Sequence, residues 1–220
     1  MSRDGADLPL AAKERGRVGH RYDRVAAIYD LYDTPMDWVG GRRRRRRVIS
    51  GASGRVLEVG IGTGRNLAYY SDPAAVVGID LSRQMLARAA GRVGESGRPV
   101  SLAQTDVEQL PFADATFDTV TATCVFCSVA DPVAGLAEVA RVTKPDGRVL
   151  LLEHVRPQGR VGGWLADIVS PLTRRLFGPS LNRRTERNAQ AAGLALIQVG
   201  RAGIWREISA APPPTGPVRR

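Results

Sequence analysis

The chain is short of cysteine, histidine, lysine and aromatic residues, and each shortage closes a route. Its 220 residues include two cysteines and two histidines. A structural zinc site takes four Cys or His ligands, whereas Cys124 and Cys127 form a lone C-x-x-C with His20 and His154 far away in the chain. No metal site is expected. The cysteine pair reads as small buried apolar side chains rather than a redox couple, because a thioredoxin-like context is missing. Nowhere do about 18 apolar residues follow one another, so no membrane-spanning helix is expected. The first ten residues carry acids and Pro9 instead of an apolar leader core, which speaks for a cytoplasmic protein and against export.

Positive charge is in excess. Lys and Arg number 32 against 22 Asp and Glu, a net +10, and only Lys13 and Lys144 are lysine. Such a balance suits an acidic partner: nucleic acid, an anionic membrane surface or an acidic substrate. Arginine- and alanine-rich coding produces the same excess, so charge alone decides little. Six arginines are consecutive, Arg42 through Arg47, and run into Val48 and Ile49. On a helix, six like charges go all the way round, so some lie beside the core with packed stems and heads in water. A solvated helix is the first expectation, peripheral contact with anionic lipid the second, nucleic acid the third.

The hydrophobic fraction, 43%, is ordinary for one globular domain with additions. Residues 1–18 read as a loose arm. Residues 19–50 read as a helical cap, in which Tyr22, Val25, Ala26, Ile28, Tyr29 and Tyr32 recur at helical spacing until Pro35. The main domain is expected over 51–210, and 211–220 as a Pro-rich disordered tail.

Strand and helix signals then alternate. Residues 55–59 and 75–79 read as strands, the second ending at Asp80, with a helix over 65–70 between them. Ser82 is placed to cap a helix running to residue 90. Strands follow over 100–105 and 117–122, then a helix capped by Asp131 and running to residue 142, with Pro132 in its first position. A turn at 144–147 leads into a fifth strand, 148–152. After an apolar stripe from Trp164 to Phe177, the pattern resumes as a helix over 185–192 with Gly193 near its end. Strands over 194–199 and 204–209 follow. The alternation predicts an α/β fold with a mostly parallel sheet covered on both faces.

The most informative segment is residues 57–66. A strand runs into Gly60, Gly62 and Gly64, and the turn opens a helix. Glycines there allow positive φ and let a ligand approach the backbone. About 20 residues on, Asp80 ends the next strand, where a carboxylate accepts hydrogen bonds from ribose hydroxyls. Nicotinamide enzymes share this layout, but three details favour S-adenosylmethionine (SAM). The spacing is G-x-G-x-G, not the dinucleotide G-x-G-x-x-G. Glu58 precedes the first glycine by two residues, placed to orient the loop and the ammonium end of the cofactor. Asp106 follows the third strand, where it and the neighbouring backbone N–H at Val107 can read an adenine edge.

These motifs resemble the class I SAM-dependent methyltransferases with a type 11 domain. The likeness rests on residues 57–64, on 78–82 with Met85 and Leu86, on 110–114 with Phe117 and Asp118, and on 141–147. It implies a Rossmann-like, doubly wound, mostly parallel seven-stranded sheet whose last hairpin makes one strand antiparallel. It implies SAM as cofactor, S-adenosylhomocysteine as product and no metal. Asn66, Leu81, Met85, Thr123 and Cys124 complete the expected cofactor set. Residues 22–30 resemble the N-terminal helix of ubiquinone/menaquinone C-methyltransferases and bacterial phospholipid N-methyltransferases, where it closes over the cofactor. Residues 127–132, 153–155 and 182–185 more closely resemble the thiol S-methyltransferase-like group, without the anchoring helix of its animal members. Asp146 stands where K-P-G-G turns usually carry Gly.

Methyl transfer from a sulfonium is an in-line displacement that needs alignment and exclusion of water rather than a metal. His154 is the expected base, since it follows the fifth strand at the edge where open α/β sheets place ligands. Glu153 is expected to orient it or to serve in its stead. Cys124 and Phe126 are expected along the transfer pocket, and Tyr22 and Tyr29 over it. Trp164 opens the stripe that would cover an apolar acceptor. The expected function is methylation of a small lipophilic acceptor: a thiol, a lipid amine or a quinone-like carbon. Competing readings are a SAM-binding regulatory protein without turnover, a nucleic-acid methyltransferase and a nicotinamide oxidoreductase. Against a nucleic-acid partner stand the 5% aromatic content and the lack of an N-P-P-Y-type motif or RNA-binding module. Acceptor identity and oligomeric state are not written in the chain.

Overall fold

Strands covered on both faces favour continuous apolar runs, and one run of four, residues 149–152, lies in mid-sheet. The computed structural model describes residues 19, 22, 23, 40–71, 75–155, 159, 164, 168 and 184–213. Its strands are β1 (Arg55–Val59), β2 (Ala75–Asp80), β3 (Val100–Gln104), β4 (Phe117–Thr123), β5 (Thr143–His154), β6 (Ala195–Ala202) and β7 (Trp205–Ala211). They form one sheet in the order β3-β2-β1-β4-β5-β7-β6. All of β1 after Arg55 is buried, and all of β4 except the half-buried Asp118, whereas the edge strands β3 and β6 are largely exposed or half-exposed. Strands β1 to β5 run parallel, and β7 alone runs against its neighbours β5 and β6. The fold is the Rossmann-like α/β sheet the motifs imply.

Four helices are described: α1 (Arg42–Ile49), α2 (Arg83–Val93), α3 (Pro132–Val142) and α4 (Thr185–Ala191). Ser82 caps α2, its Oγ accepting from the Met85 amide at 3.1 Å. Asp131 caps α3 through the amides of Val133 and Ala134, both at 3.0 Å. The two sheet faces carry separate cores, as strand alternation requires. Leu57 and Val59 pack with Phe117, Leu136 and Ile208. Val56 packs with Ile49, Leu67 and Tyr70, so α1 belongs to the body of the domain. No helix among the described residues is long and apolar enough to cross a membrane.

Two local expectations are corrected. The helix over 65–70 is a single 3-10 turn, Arg65–Ala68, a tighter path that carries both Asn66 and Tyr70 inward onto Glu58. The turn at 144–147 lies inside β5. Thr143 pairs with Phe117 and Arg148 with Thr119, so the chain leaves the ladder between them and rejoins the same neighbour. The expected arm, residues 1–18, and the tail from 214 lie outside the described residues.

Candidate functional site

Strand order reverses between β1 and β4, and open α/β sheets place ligands outside the carboxyl ends at such a point. An open cavity lies there, about 780 Å³ with the solvent at its mouth included, reaching from the ends of β1 and β4 past β2 to the residues after β3. Its first wall is made mainly of backbone. Gly60 has φ +62°, and a Cβ built on it would stand 2.5 Å from Val125 Cγ2. The Gly62 amide donates to Asp80 Oδ2 at 2.9 Å, and the Ser82 amide to Asp80 Oδ1 at 2.9 Å. A carboxylate has about four acceptor positions, so both oxygens keep capacity for a ligand. Burial pushes the Asp80 carboxyl above its ordinary range, and the amides of Ser82 and Gly62 oppose that push. Beyond β3, Asp106 Oδ1 accepts from the Glu108 amide at 3.0 Å.

The opposite wall begins at Thr123 and Cys124. Cys124 has φ +57°, a conformation that costs a non-glycine residue energy and that clusters at functional sites. It is half-buried on the cavity, while Cys127 is buried with its Sγ 3.3 Å from the Cys124 carbonyl; neither is in a disulfide. Tyr22 OH and Ser128 Oγ meet at 2.6 Å across the wall. Asp23 Oδ1, one residue on, accepts from Ser82 Oγ at 2.5 Å and from the Gln84 amide at 3.2 Å.

Beneath this wall lies a buried polar network. Glu58 is wholly buried; its Oε1 accepts from Asn66 Nδ2 at 2.6 Å and its Oε2 from Tyr70 OH at 2.9 Å. Tyr70 OH also meets Thr121 Oγ1 at 2.8 Å. Arg45 Nη1 donates to Asn66 Oδ1 at 3.0 Å and to Thr123 Oγ1 at 2.8 Å. Burial pushes Glu58 up to about 7, restrained by the hydrogen bonds of Tyr70 and Asn66 and by the charge of Arg45, while Asp80 adds to the rise. The expectation of a solvated arginine run therefore needs correction at Arg45, which is 8% exposed. It sits one helical turn before buried Ile49, so it shares the inward face. Arg44 Nη1 and Arg47 Nε donate to Glu207 on β7, at 2.9 and 2.7 Å.

Of the residues expected from sequence, Tyr22, Gly60, Gly62, Asp80 and Leu81 line the cavity, as do Met85, Asp106, Val107, Thr123 and Cys124. Glu58 and Asn66 stand behind the wall. Gly64, with φ +81°, packs against α2, where a Cβ would lie 3.2 Å from Ala89 Cα. Phe126 is in the core instead of the pocket, because Gly135 on α3 leaves it room: a Cβ there would lie 3.3 Å from Phe126 Cε1. Glu153 is buried beneath the 124–130 turn, its Oε1 accepting from the amides of Val125 at 2.9 Å and Phe126 at 3.0 Å. His154 ends β5 without joining the cavity lining, and burial lowers its pKa. Trp164 is 60% exposed and also stands off the lining. Tyr29, and the apolar stripe apart from Trp164 and Ile168, lie outside the described residues. Sequence reasoning missed Glu108, Ser128, Val129 and Ala130 on the wall.

Comparison with known proteins points to one family. Residues 57–151 match the family model described as a methyltransferase domain. The chain is 41% identical over 165 residues to a phosphatidylethanolamine N-methyltransferase from Cereibacter sphaeroides, covering 73% of this chain and 78% of the relative. It is 34% identical over 160 residues to a ubiquinone/menaquinone biosynthesis C-methyltransferase from Geobacter sulfurreducens, covering 67% and 62% of the two chains. Among solved structures it is similar to the YcgJ protein of Bacillus subtilis, with a TM-score of 0.61, 29% identity and 73% of each chain covered.

Proposed function

This chain belongs to the SAM-dependent methyltransferase family and is an enzyme of that kind; we propose that it methylates a small lipophilic acceptor in the cavity at the ends of β1 to β4. The observation that carries the reading is the Asp80 carboxylate, pinned by the amides of Gly62 and Ser82 on the cavity wall. Its free acceptor positions suit the two hydroxyls of a ribose through charge-assisted bonds. Asp106 and the Val107 backbone suit an adenine edge, with Leu81 and Met85 against its faces. The missing Cβ at Gly60 keeps the floor clear. These residues fit SAM, whose sulfonium supplies an already activated methyl group.

The work left to this chain is alignment and exclusion of water. Burial holds the Tyr22 phenol far above its ordinary range, so it stays protonated and closes the wall with Ser128 as a hydrogen-bonding group, not as a base. His154, expected as the base, ends β5 outside the cavity lining, so no proton acceptor is assigned for a thiol or carbon acid. An amine acceptor needs less, since it attacks neutral and loses its proton afterwards. Glu153 braces the 124–130 turn through its two amide contacts. The relative named for phosphatidylethanolamine puts a lipid amine first among the acceptors, ahead of quinone-like carbons and alkyl thiols. Isotope-labelled SAM offered with phosphatidylethanolamine, a demethylated quinol and an alkyl thiol tests this. Label is expected in the lipid; label in none of the three acceptors overturns the reading.

A further inference from the structure

A hydroxyl has one hydrogen to give and two lone pairs with which to accept. At Thr123 Oγ1 both accepting positions are filled, by Arg45 Nη1 at 2.8 Å and Asn66 Nδ2 at 3.1 Å. The Asn66 amide cannot turn round. Its other N–H is held at 2.6 Å by the Glu58 carboxylate, and its oxygen is held at 3.0 Å by Arg45, which can only donate. The Thr123 proton must therefore point away from the network. Thr123 lines the cavity and keeps 8% of its surface open. Its hydroxyl is thus a donor of fixed direction, sharpened by the cation behind it.

We propose that the Thr123 hydroxyl donates to the carboxylate of the methionine part of SAM, with Arg45 and Asn66 as positioning residues that force it into that role. The inference rests on the cavity being the SAM site. The ammonium end of that moiety only donates, and the sulfonium carries positive charge, so neither meets an O–H. Ribose and adenine oxygens and nitrogens do accept, but Asp80 on β2 and Asp106 after β3 draw them to the other side of β1 from β4. Among the groups of the cofactor, the carboxylate is the acceptor that remains. The guanidinium of Arg45 behind the hydroxyl adds a favourable field for that anion.

Calorimetry with three ligands separates this role from general damage: S-adenosylhomocysteine, its decarboxylated analogue and 5′-methylthioadenosine, which lacks the amino-acid end. Thr123→Val should weaken S-adenosylhomocysteine by about tenfold or more, as for a hydrogen bond to a charged group, and leave the other two unchanged. Thr123→Ser should restore affinity to within about threefold of the parent. Arg45→Met should follow the Val variant in its selectivity. Equal weakening of all three ligands by Thr123→Val, or unchanged S-adenosylhomocysteine binding, overturns the proposal. If the parent protein binds none of the three, the assignment of the cavity itself fails, and this inference with it.

Discussion

The two walls of the cavity are built by different means. The wall between β1 and β2 is mostly backbone: a positive-φ glycine, and the amides of Gly62 and Ser82 pinning Asp80. The wall at the end of β4 is set by side chains, with Arg45, Glu58, Asn66 and Tyr70 fixing the direction of one threonine hydroxyl. The backbone wall takes its shape from glycine conformation and fails first through steric change, although the Asp80 carboxyl it carries is also raised by burial. A side-chain wall around a titratable carboxyl is tunable, and fails through charge.

The largest effect should come from the backbone wall. In Gly60→Ala, the new Cβ would stand 2.5 Å from Val125 Cγ2, at a residue already in the left-handed region. Left-handed strain and overpacking together predict a loss of about 2–5 kcal/mol of stability. Cofactor binding should also be lost, because Val125 lies on the cavity wall and must move. Urea unfolding and calorimetry with S-adenosylhomocysteine measure the two losses. A variant as stable as the parent would mean that the first wall is no more rigid than the second.

The same contrast explains what the sequence could reveal. Gly60, Gly62 and Asp80 are legible because a backbone wall needs particular residues at fixed short spacing. Central β1 and β5 are legible from the apolar residues that burial on both faces favours, and β4 from its alternation of threonine with apolar residues, although Thr119, Thr121 and Thr123 are buried as well. The second wall draws on residues 45, 58, 66, 70, 121 and 123, and no local pattern ties them together. Arg45 was hidden by its identical neighbours, although its spacing from Ile49 already put it on the inward face. Phe126 was misplaced because an aromatic after a strand suits a pocket or a core equally well; the space left by Gly135 decides it. The 3-10 turn at 65–68 was missed for a related reason, since its path is set by Glu58 and not by helix propensity.

The second wall should respond to pH with intermediate size. Glu58 is pushed from 4.5 up to about 7 by burial, and the groups facing it are Tyr70, Asn66, Arg45 and Asp80. Between those two pH values the folded protein keeps a proton that the unfolded chain has released. Stability therefore falls as pH rises through that interval and levels off above about 7, by on the order of 3 kcal/mol from this group. Glu138 and Glu186 have the opposite sign. Arg141 and Arg201 hold them below the ordinary range, so their contribution is present above that range and is lost at acid pH. Cofactor affinity should rise where Glu58 ionises, because the anion holds the Asn66 amide more strongly than the neutral acid does. Glu58→Gln should flatten both pH dependences. His154, whose pKa burial lowers, adds a rise of stability with pH below its ordinary value, so the comparison is with Glu58→Gln: a variant whose stability profile from pH 4.5 to about 7 matches the parent's would break the assignment.

The smallest effect on the fold belongs to the arginines that neither wall uses. Arg42, Arg43 and Arg46 are exposed on α1, whereas Arg44 and Arg47 bind Glu207 and Arg45 is inside. Replacing the three exposed residues by Gln should change stability by no more than about 0.5 kcal/mol each, as for ordinary surface sites. Vesicle binding should change much more, because each arginine near an anionic surface contributes about 1 kcal/mol, within a Debye length of about 10 Å at 0.1 M salt. Co-sedimentation should rise with anionic lipid, fall with salt and drop in the triple variant. Equal binding to neutral vesicles would remove these three side chains from any lipid role. It would also leave Arg45, the member of the run that faces inward, as the one assigned a functional part.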